Sequence, residues 1–519
     1  MTDSSIASLD GTRYDVAIIG GGINGASAAQ HLSAAGYRVL VIEQGDFADG
    51  ATSRSSRLLH CGLRHLASGE GDHHWFRPGK WLAGLARARH DMLARDELVK
   101  SIPHRLTQIK FCVPVYGDDD YAPWQFDAAF SSLRLLSPFG ISLDYQRYGP
   151  ADLAQIPWHS WLREPDRLTG MIVFREYLFD KPERIALDAL FDAKRMGARL
   201  SNYTRVEKLE PGNGNNGWRL GLSATHGIGT DEPSSDLVWI DAGLVLNLAG
   251  ASIDDVTQRA NANAAKRCAG IKGIHIAFQL PEELANYGLF TFNSINEPMY
   301  LLPSNGIHYA GLTRRPFQGD AANVFASDEE INWMIAETNR SLPKLALTRA
   351  DILYSWAGVN PVTHVPDTSH GSREIKIHDL GAEGLPNMLS LTAAPIVTHR
   401  GVARQLVKLV TSRVPPSGST QAPEFHFNNH SITSNSKQDF GNDVDPITIR
   451  HCAREELVRG LDDLMMRRTK LGWNKDQGLE QARVVAEIAA TELGWSQSKI
   501  DAEVAAYQLQ LQALRRRPR

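Results

Sequence analysis

The sequence predicts an α/β protein. A dinucleotide-binding domain, discontinuous in sequence, interleaves with an α+β domain and is followed by a small all-helical domain. Three stretches carry that prediction. Residues 14–43, YDVAIIGGGINGASAAQHLSAAGYRVLVIE, read as strand, glycine turn, helix, strand and acid in one uninterrupted unit. Residues 242–250, AGLVLNLAG, return to the same buried-strand pattern far along the chain. Beyond a Pro-, Asn- and Ser-rich segment at 412–446, the chain becomes amphipathic with helical spacing to its end.

In the first unit, 15–19 is a short β-branched run suited to a buried strand, and the Ala-rich stretch 23–35 follows as a helix ended by Gly36. Residues 38–42 form the second strand, closed by Glu43. Gly20, Gly22 and Gly25 have the G-x-G-x-x-G spacing. The first permits a tight turn, the second lets a diphosphate approach the backbone, and the third lets helix and strand pack closely. The helix start at Ile23 and Asn24 offers amide N–H groups and a positive dipole end to that anion. Glu43 stands eighteen residues beyond Gly25, where a carboxylate accepts hydrogen bonds from both ribose hydroxyls and disfavours a 2′-phosphate. Read instead as a Gly-rich turn in an ordinary α/β domain, the unit leaves Glu43 unexplained.

The polar run 44–64, QGDFADGATSRSSRLLHCGLR, follows this acid directly and is placed to line a cofactor. A long helix is expected at 75–99 and another at 124–136, with strand-like stretches at 111–116 and 143–148 in a separate substrate-side domain. A strand at 171–174, a helix at 181–196, a strand at 198–208 and antiparallel strands at 218–223 and 237–240 come next, joined by loops at 211–217 and 227–235. The strand 242–250 and a helix at 252–260 return to the nucleotide-type domain. Strands at 274–279, 300–303, 308–312 and 385–391, then a helix at 398–410, complete the body. The C-terminal helices are expected at 449–466, 478–493 and 496–514, the last capped by Ser496. In domain terms, segments near 14–100, 171–260 and 350–410 bind the dinucleotide, 101–170 and 261–349 bind substrate, 411–446 link, and 447–519 are helical.

With 519 residues the chain is long enough for two to four domains. Its 42% hydrophobic and 22% charged content is that of an ordinary globular protein, and a net charge of −4 gives no reason to expect nucleic acid as a partner. Cys61, Cys112, Cys268 and Cys452 are scattered without metal or redox spacing, as for reduced thiols in a cytoplasmic protein. The N-terminal residues lack a basic start followed by an apolar core. No window reaches the ~18 apolar residues of a membrane-spanning helix, so only attachment to a membrane surface is left open.

These motifs resemble the FAD-dependent glycerol-3-phosphate dehydrogenase family, a branch of the glutathione-reductase-type and D-amino-acid-oxidase-like flavoproteins. The resemblance covers nearly the whole chain. It rests on Gly20 to Ala26, on Ala51-Thr52-Ser53 through Ser55-Ser56-Arg57-Leu58-Leu59-His60, on Lys272-Gly273-Ile274-His275, on Gly311-Leu312-Thr313, on Ser372-Arg373, on Arg467-Arg468-Thr469 and on Glu492-Leu493-Gly494-Trp495. It implies a glutathione-reductase-type FAD-binding domain, with Thr52, Ser53, Ser55, Ser56, Ala249, Gly250, Val397 and Thr398 joining the glycine turn around FAD. Oxidation of a carbinol to a ketone is implied, with electrons passing to a quinone or to oxygen. Quinone users of the family lie on the inner face of the cell membrane; a homodimer is also compatible. The serine-rich loop ends His60-Cys61-Gly62-Leu63-Arg64-His65, where the family has His-Gly-Gly-Leu-Arg-Tyr. Asn360 stands where the family has an arginine, Pro395 replaces a lysine beside the flavin, and Arg314 replaces an aspartate. Arg64 and Arg373 remain as an expected clamp for an anionic substrate.

Hydride transfer to a flavin needs a group that takes the hydroxyl proton and positive potential near the reduced ring. The resemblance puts His60 and His275 near the flavin, so His60 is expected as the base, His275 as second choice, and Lys272 as a supporting cation; structural histidines and an exposed lysine are the alternatives. Three functions stay open on sequence alone. The first is oxidation of a small phosphorylated polyol such as glycerol 3-phosphate. The second is oxidation of a non-phosphorylated hydroxy acid, polyol or amine, favoured by Asn360 and Pro395. The third is a flavin-binding partner protein without catalysis.

Overall fold

The run from Arg13 to Ile19 offers β-branched and small side chains that are buried almost without exception, so it forms a strand with both faces covered. In the computed structural model, which describes residues 6–66, 78–119, 121–136, 140–212, 217–225, 237–304, 306–420 and 444–515, this strand, β1 (Arg13–Ile19), lies inside a sheet of eight strands. It pairs in parallel with β2 (Val39–Ile42) on one side and with the strand Val238–Asn247 on the other. Met388–Thr392 and Arg199–Ser201 extend the parallel set, and Lys376–Asp379 adds an antiparallel edge. The helix α1 (Ile23–Ala34) is buried along nearly its whole length, between the sheet and the helices Pro182–Arg195 and His399–Thr411.

Two strands expected separately, 237–240 and 242–250, are one. The N-terminal half of Val238–Asn247 pairs antiparallel with Trp218–Ala224, and its C-terminal half pairs in parallel with β1. The polar residues that interrupted the apolar pattern are accommodated individually. Asp241 is exposed, while Asn247 is fully buried and donates to the Ile253 carbonyl at 2.8 Å and the Thr257 hydroxyl at 3.1 Å. The expected strand 198–208 is interrupted where Tyr203 takes φ 51°, giving Arg199–Ser201 and Thr204–Pro211.

A second sheet of ten strands is built around Leu106–Tyr116, Leu168–Phe179, Cys268–Phe278 and Tyr354–Thr363. Strands Leu168–Phe179 and Tyr354–Thr363, expected with the nucleotide-binding segments, hydrogen-bond in this sheet instead, with Leu106–Tyr116 and Cys268–Phe278 respectively. Only Gln146–Tyr148 of the expected strand 143–148 forms. The long helix is Pro78–Ser101; the expected start at 75–77, the loop 227–235, most of the loop 211–217 and most of the linker lie outside the described residues.

The C-terminal helices are Pro446–Glu455, Ala482–Leu493 and Gln497–Leu514, and Ser496 caps the last by accepting from the Lys499 amide. The helix expected at 449–466 breaks after Glu455. Glu456 turns inward to Arg184 at 2.7 Å, Leu457 takes φ 52°, and Asp463–Arg468 continues as a π-turn. This break delivers Arg467 and Arg468 into the nucleotide-binding domain. Asp46, fully buried just beyond the ribose acid, accepts from Arg467 Nε at 2.5 Å, from Arg468 Nη2 at 2.9 Å and also from Arg468 Nη1. Burial alone would raise the Asp46 carboxyl; the charges of Arg468 and Arg467 overcome it and hold it at about 2.

Candidate active site

Between the two sheets runs a cavity lined by the glycine turn, the polar run after Glu43 and the inner face of the second sheet. At the glycine turn the lack of side chains is required by packing. A Cβ on Gly20 would meet the Leu248 carbonyl oxygen at 2.5 Å, and one on Gly25 would meet the Gly20 carbonyl oxygen at 1.9 Å. Gly22 lines the cavity, where a Cβ would meet only the Thr52 hydroxyl. The neighbouring loop is fixed to this turn. Thr52 accepts from the Ile23 amide at 3.1 Å, and the Ala48 amide donates to the Gly21 carbonyl. Asn24 reaches across to donate to the Ala394 carbonyl at 3.0 Å, while its buried side-chain oxygen has no partner among the described residues.

Glu43 lines the same end of the cavity and is oriented by two amides, Gly21 N at 2.7 Å and Gly45 N at 3.0 Å. Burial raises its carboxyl against the lowering effect of those bonds. Ala249 and Gly250 border the cavity at the end of the neighbouring strand. Ser55 and Ser56 line it further along, and Ser55 also accepts from the Arg57 amide. Val397 lines it at the start of the helix His399–Thr411, behind Pro395. An amide oxygen unpartnered among the described residues, a backbone cradle without Cβ atoms and a half-buried acid at the strand tip suit an adenine dinucleotide with free ribose hydroxyls. The cradle therefore fits FAD.

Three residues expected around the cofactor lie away from the cavity surface. Gly25 serves the helix–strand contact. Ser53 turns its hydroxyl back onto the Asp49 and Gly50 carbonyls, and Thr398 is buried with its hydroxyl on the Pro395 carbonyl.

The other end of the cavity gathers His60, His65, Tyr300, His275, Arg314, Asn360 and Arg373. His60 packs beside Tyr300, ring centroids 6.0 Å apart. His275 is stacked on Trp356 at 4.7 Å and is 4% exposed, and among the described residues neither ring nitrogen has a partner. Burial, then the charge of Arg57, pushes its imidazole down to about 3, so it is neutral and serves hydrogen bonding rather than proton uptake. Arg64 belongs to the turn Leu63–His65, and its side chain lies outside the described residues.

Lys272 does not belong to this group. Side chains alternate along Cys268–Phe278, so Ile271, Gly273 and His275 face the cavity and Lys272 faces the opposite side. There its ammonium meets Glu330 of the helix Asp328–Ser341 at 2.6 Å.

Arg57, read from sequence only as part of the serine-rich motif, and His65, read there as a surface or supporting histidine, both line the cavity. Arg57 is 3% exposed, pairs with Glu183 at 3.1 Å and lies 3.6 Å over the Trp473 ring, putting a buried cation at the cavity wall. Its signal was the second of the arginines, after Arg54, inside the serine-rich run. His65 holds Asp91 at 2.9 Å, and the signal was the histidine closing that run.

Comparison with known proteins agrees with this geometry. Residues 15–408 match the family model described as FAD dependent oxidoreductase, and residues 429–500 match the C-terminal domain of alpha-glycerophosphate oxidase. A glycerol-3-phosphate dehydrogenase of Synechocystis is 24% identical over 96% of both chains. An aerobic glycerol-3-phosphate dehydrogenase of Staphylococcus haemolyticus is 25% identical over 78% of this chain and 68% of its own. Among solved structures, the glycerol-3-phosphate dehydrogenase of Bacillus halodurans complexed with FAD superposes with a TM-score of 0.70 at 18% identity, covering 98% of this chain and 96% of that one. The L-alpha-glycerophosphate oxidase of Mycoplasma pneumoniae with FAD bound gives 0.58 at 15% identity, over 79% and 98%. With the glycine turn, the acid at the strand tip and three quarters of its length in that match, the chain belongs to the family of FAD-dependent oxidoreductases.

Proposed function

We propose that the protein oxidises the secondary alcohol of a small phosphorylated polyol, glycerol 3-phosphate to dihydroxyacetone phosphate or a close relative. The observation that carries this reading is a cavity wall that includes the guanidiniums of Arg314 and Arg373 together with three histidines. Guanidinium groups there suit a phosphate, which they bind with paired hydrogen bonds. The relatives aligned over most of both chains support the same substrate class.

Bound FAD supplies hydride acceptance. The protein's own groups do the rest. Arg373 and Arg314 fix the phosphate and so orient the carbinol carbon; His60 and neutral His275 hold the alcohol oxygen by hydrogen bonds; buried Arg57 supplies positive potential at the cavity wall. Electrons leave to a quinone or another acceptor. A quinone route would place the protein on a membrane surface; among the described residues no helix is long and apolar enough to cross one.

Asn360 and Pro395 favour a second reading. Both line the cavity where the family resemblance expects cations, so a non-phosphorylated hydroxy acid, polyol or amine is the alternative substrate. An anaerobic panel separates the two. Bleaching of the flavin by glycerol 3-phosphate at low concentration supports the first, and bleaching only by carboxylate or uncharged compounds supports the second.

A further inference from the structure

We propose that His65, held by Asp91, takes the proton from the substrate hydroxyl. The inference rests on the alcohol-oxidation reading above and names a residue for its proton step.

The pair is built by the fold rather than by chance proximity. His65 lies in a tight turn, Leu63–His65, pressed against the helix Pro78–Ser101. Gly62 enters that turn at φ 88°, and a Cβ there would meet the Ala88 backbone at 2.9 Å. From the helix side, a Cβ on Gly84 would meet the His65 carbonyl oxygen at 2.6 Å. Gly84, Ala88 and Asp91 are spaced four and three apart and therefore share one face of the helix. Two small residues let the turn approach, and the third position presents a carboxylate. Asp91 is 4% exposed and its Oδ2 lies 2.9 Å from His65 Nε2, while His65 remains part of the cavity wall.

A buried carboxylate on Nε2 selects the tautomer with the proton on Nε2 and leaves the Nδ1 lone pair as the acceptor. In the proton step, the O–H bond breaks and its proton goes to Nδ1. The electron pair of the carbinol C–H bond leaves as hydride to the bound flavin, which is the oxidant, and the carbon becomes the ketone. The imidazolium so formed lies in a cavity that already holds Arg57, Arg314 and Arg373. The Asp91 charge offsets that repulsion. His275, by contrast, is buried beside Arg57 and, among the described residues, has no carboxylate on either nitrogen.

Other charges near the pair, among the described residues, are committed as follows. Arg95 of the same helix lies 3.5 Å from both Asp96 and Glu176, and Glu176 accepts from the Cys61 amide at 2.7 Å. Asp127 of the adjacent helix Pro123–Leu136 accepts from Tyr145 and Arg147. His60 and Arg57 stand on the cavity wall.

The test is single-turnover anaerobic flavin bleaching of the FAD-loaded protein by glycerol 3-phosphate across pH, for wild type, His65→Asn, Asp91→Asn and His60→Asn. Binding of 1,3-propanediol monophosphate, which lacks the reacting hydroxyl, is followed in parallel by the flavin spectrum. His65→Asn should slow bleaching by about 10²–10³-fold and remove the fall in rate on the acid side, with analogue binding within about threefold of wild type. Asp91→Asn should slow bleaching by about tenfold, because the amide no longer fixes the tautomer with the proton on Nε2. Imidazole added to His65→Ala should restore part of the rate, a readout that keeps the idea testable where the asparagine variant folds poorly. Wild-type bleaching matched by His65→Asn, with the acid fall retained there and lost in His60→Asn, would overturn the assignment in favour of His60. A wild type that glycerol 3-phosphate does not bleach would overturn the substrate reading, and the assignment with it.

Discussion

Replacing Asp46 with asparagine should damage both stability and cofactor binding, although Asp46 is not part of the cavity wall. The carboxylate is fully buried and receives three hydrogen bonds from Arg467 and Arg468, and a fourth from Asn202 at 3.1 Å. Its carboxyl lies at about 2, against 3.8 for a free aspartate. A group depressed in the fold adds stability above its unfolded value. Nearly two pH units correspond to roughly 2 kcal/mol, present above pH ~4 and lost as pH falls toward 2. Removing the charge outright leaves buried Arg468 with Glu456 at 3.9 Å as its remaining carboxylate, while Arg467 keeps Asp49, Asp462 and Asp463; breaking a buried pair of the Arg468 kind costs about 3–5 kcal/mol. The loop carrying Asp46 also carries Phe47 and Ala48. A Cβ on Gly21 would strike the Phe47 ring at 2.4 Å, and Ala48 bonds the Gly21 carbonyl, so loosening the loop removes the backing of the glycine turn. Thermal melts with and without FAD, together with FAD titration of the apoprotein, should show a lower melting temperature and FAD affinity weakened about tenfold or more. Asp46→Leu combined with Arg468→Leu should cost less than the sum of the single changes, because the unpaired charge is gone. Asp46→Asn with unchanged melting and FAD affinity would refute the idea that the helical domain braces the flavin loop.

Three further outcomes follow from the same geometry. Gly25→Ala puts a methyl 1.9 Å from the Gly20 carbonyl oxygen, so the variant should purify without FAD or fail to accumulate, as judged by visible absorbance. Lys272→Ala should leave the rate of flavin bleaching within about twofold of wild type and cost less than about 1 kcal/mol in denaturant melts, because its partner Glu330 lies on the far side of the sheet from the cavity. His275 and His399 are both pushed down to about 3, each chiefly by burial. A buried neutral histidine binds its proton more readily when unfolded, so the stability these two contribute is full above pH 6.5 and is lost as pH falls toward 3. Denaturant melts at stepped pH should therefore show His399→Leu losing less stability on acidification than wild type.

The dinucleotide unit was legible because short-range rules govern it. The glycine spacing, the β-branched runs and Glu43 each act within one strand–turn–helix unit, and the structure keeps all of them in place. Ser53 and Thr398 were placed at the cofactor by the family resemblance, which carries no direction for a hydroxyl; both hydroxyls turn onto local carbonyls. Lys272 was misread because its strand was read as beginning at 274, which hid the alternation that points it away from His275. The helix expected at 449–466 failed on a long-range term. Its periodicity is helical, yet Glu456, Arg467 and Arg468 carry buried charges whose distant partners include Arg184 and Asp46, and the chain breaks to reach them. The membership of Leu168–Phe179 and Tyr354–Thr363 in the second sheet was likewise invisible locally, since strand partners are chosen across hundreds of residues. His65 shows the same limit: its role depends on Asp91, which only the packing of the turn on the helix brings within reach.

The most direct measurement is anaerobic stopped-flow mixing of the FAD-loaded protein with glycerol 3-phosphate and with the same compound deuterated at C2. The account predicts loss of the flavin's visible absorbance with both, several-fold slower with the deuterated substrate, because the carbinol hydrogen leaves as hydride. A protein that takes up no FAD, or bound flavin that neither compound bleaches, would contradict it.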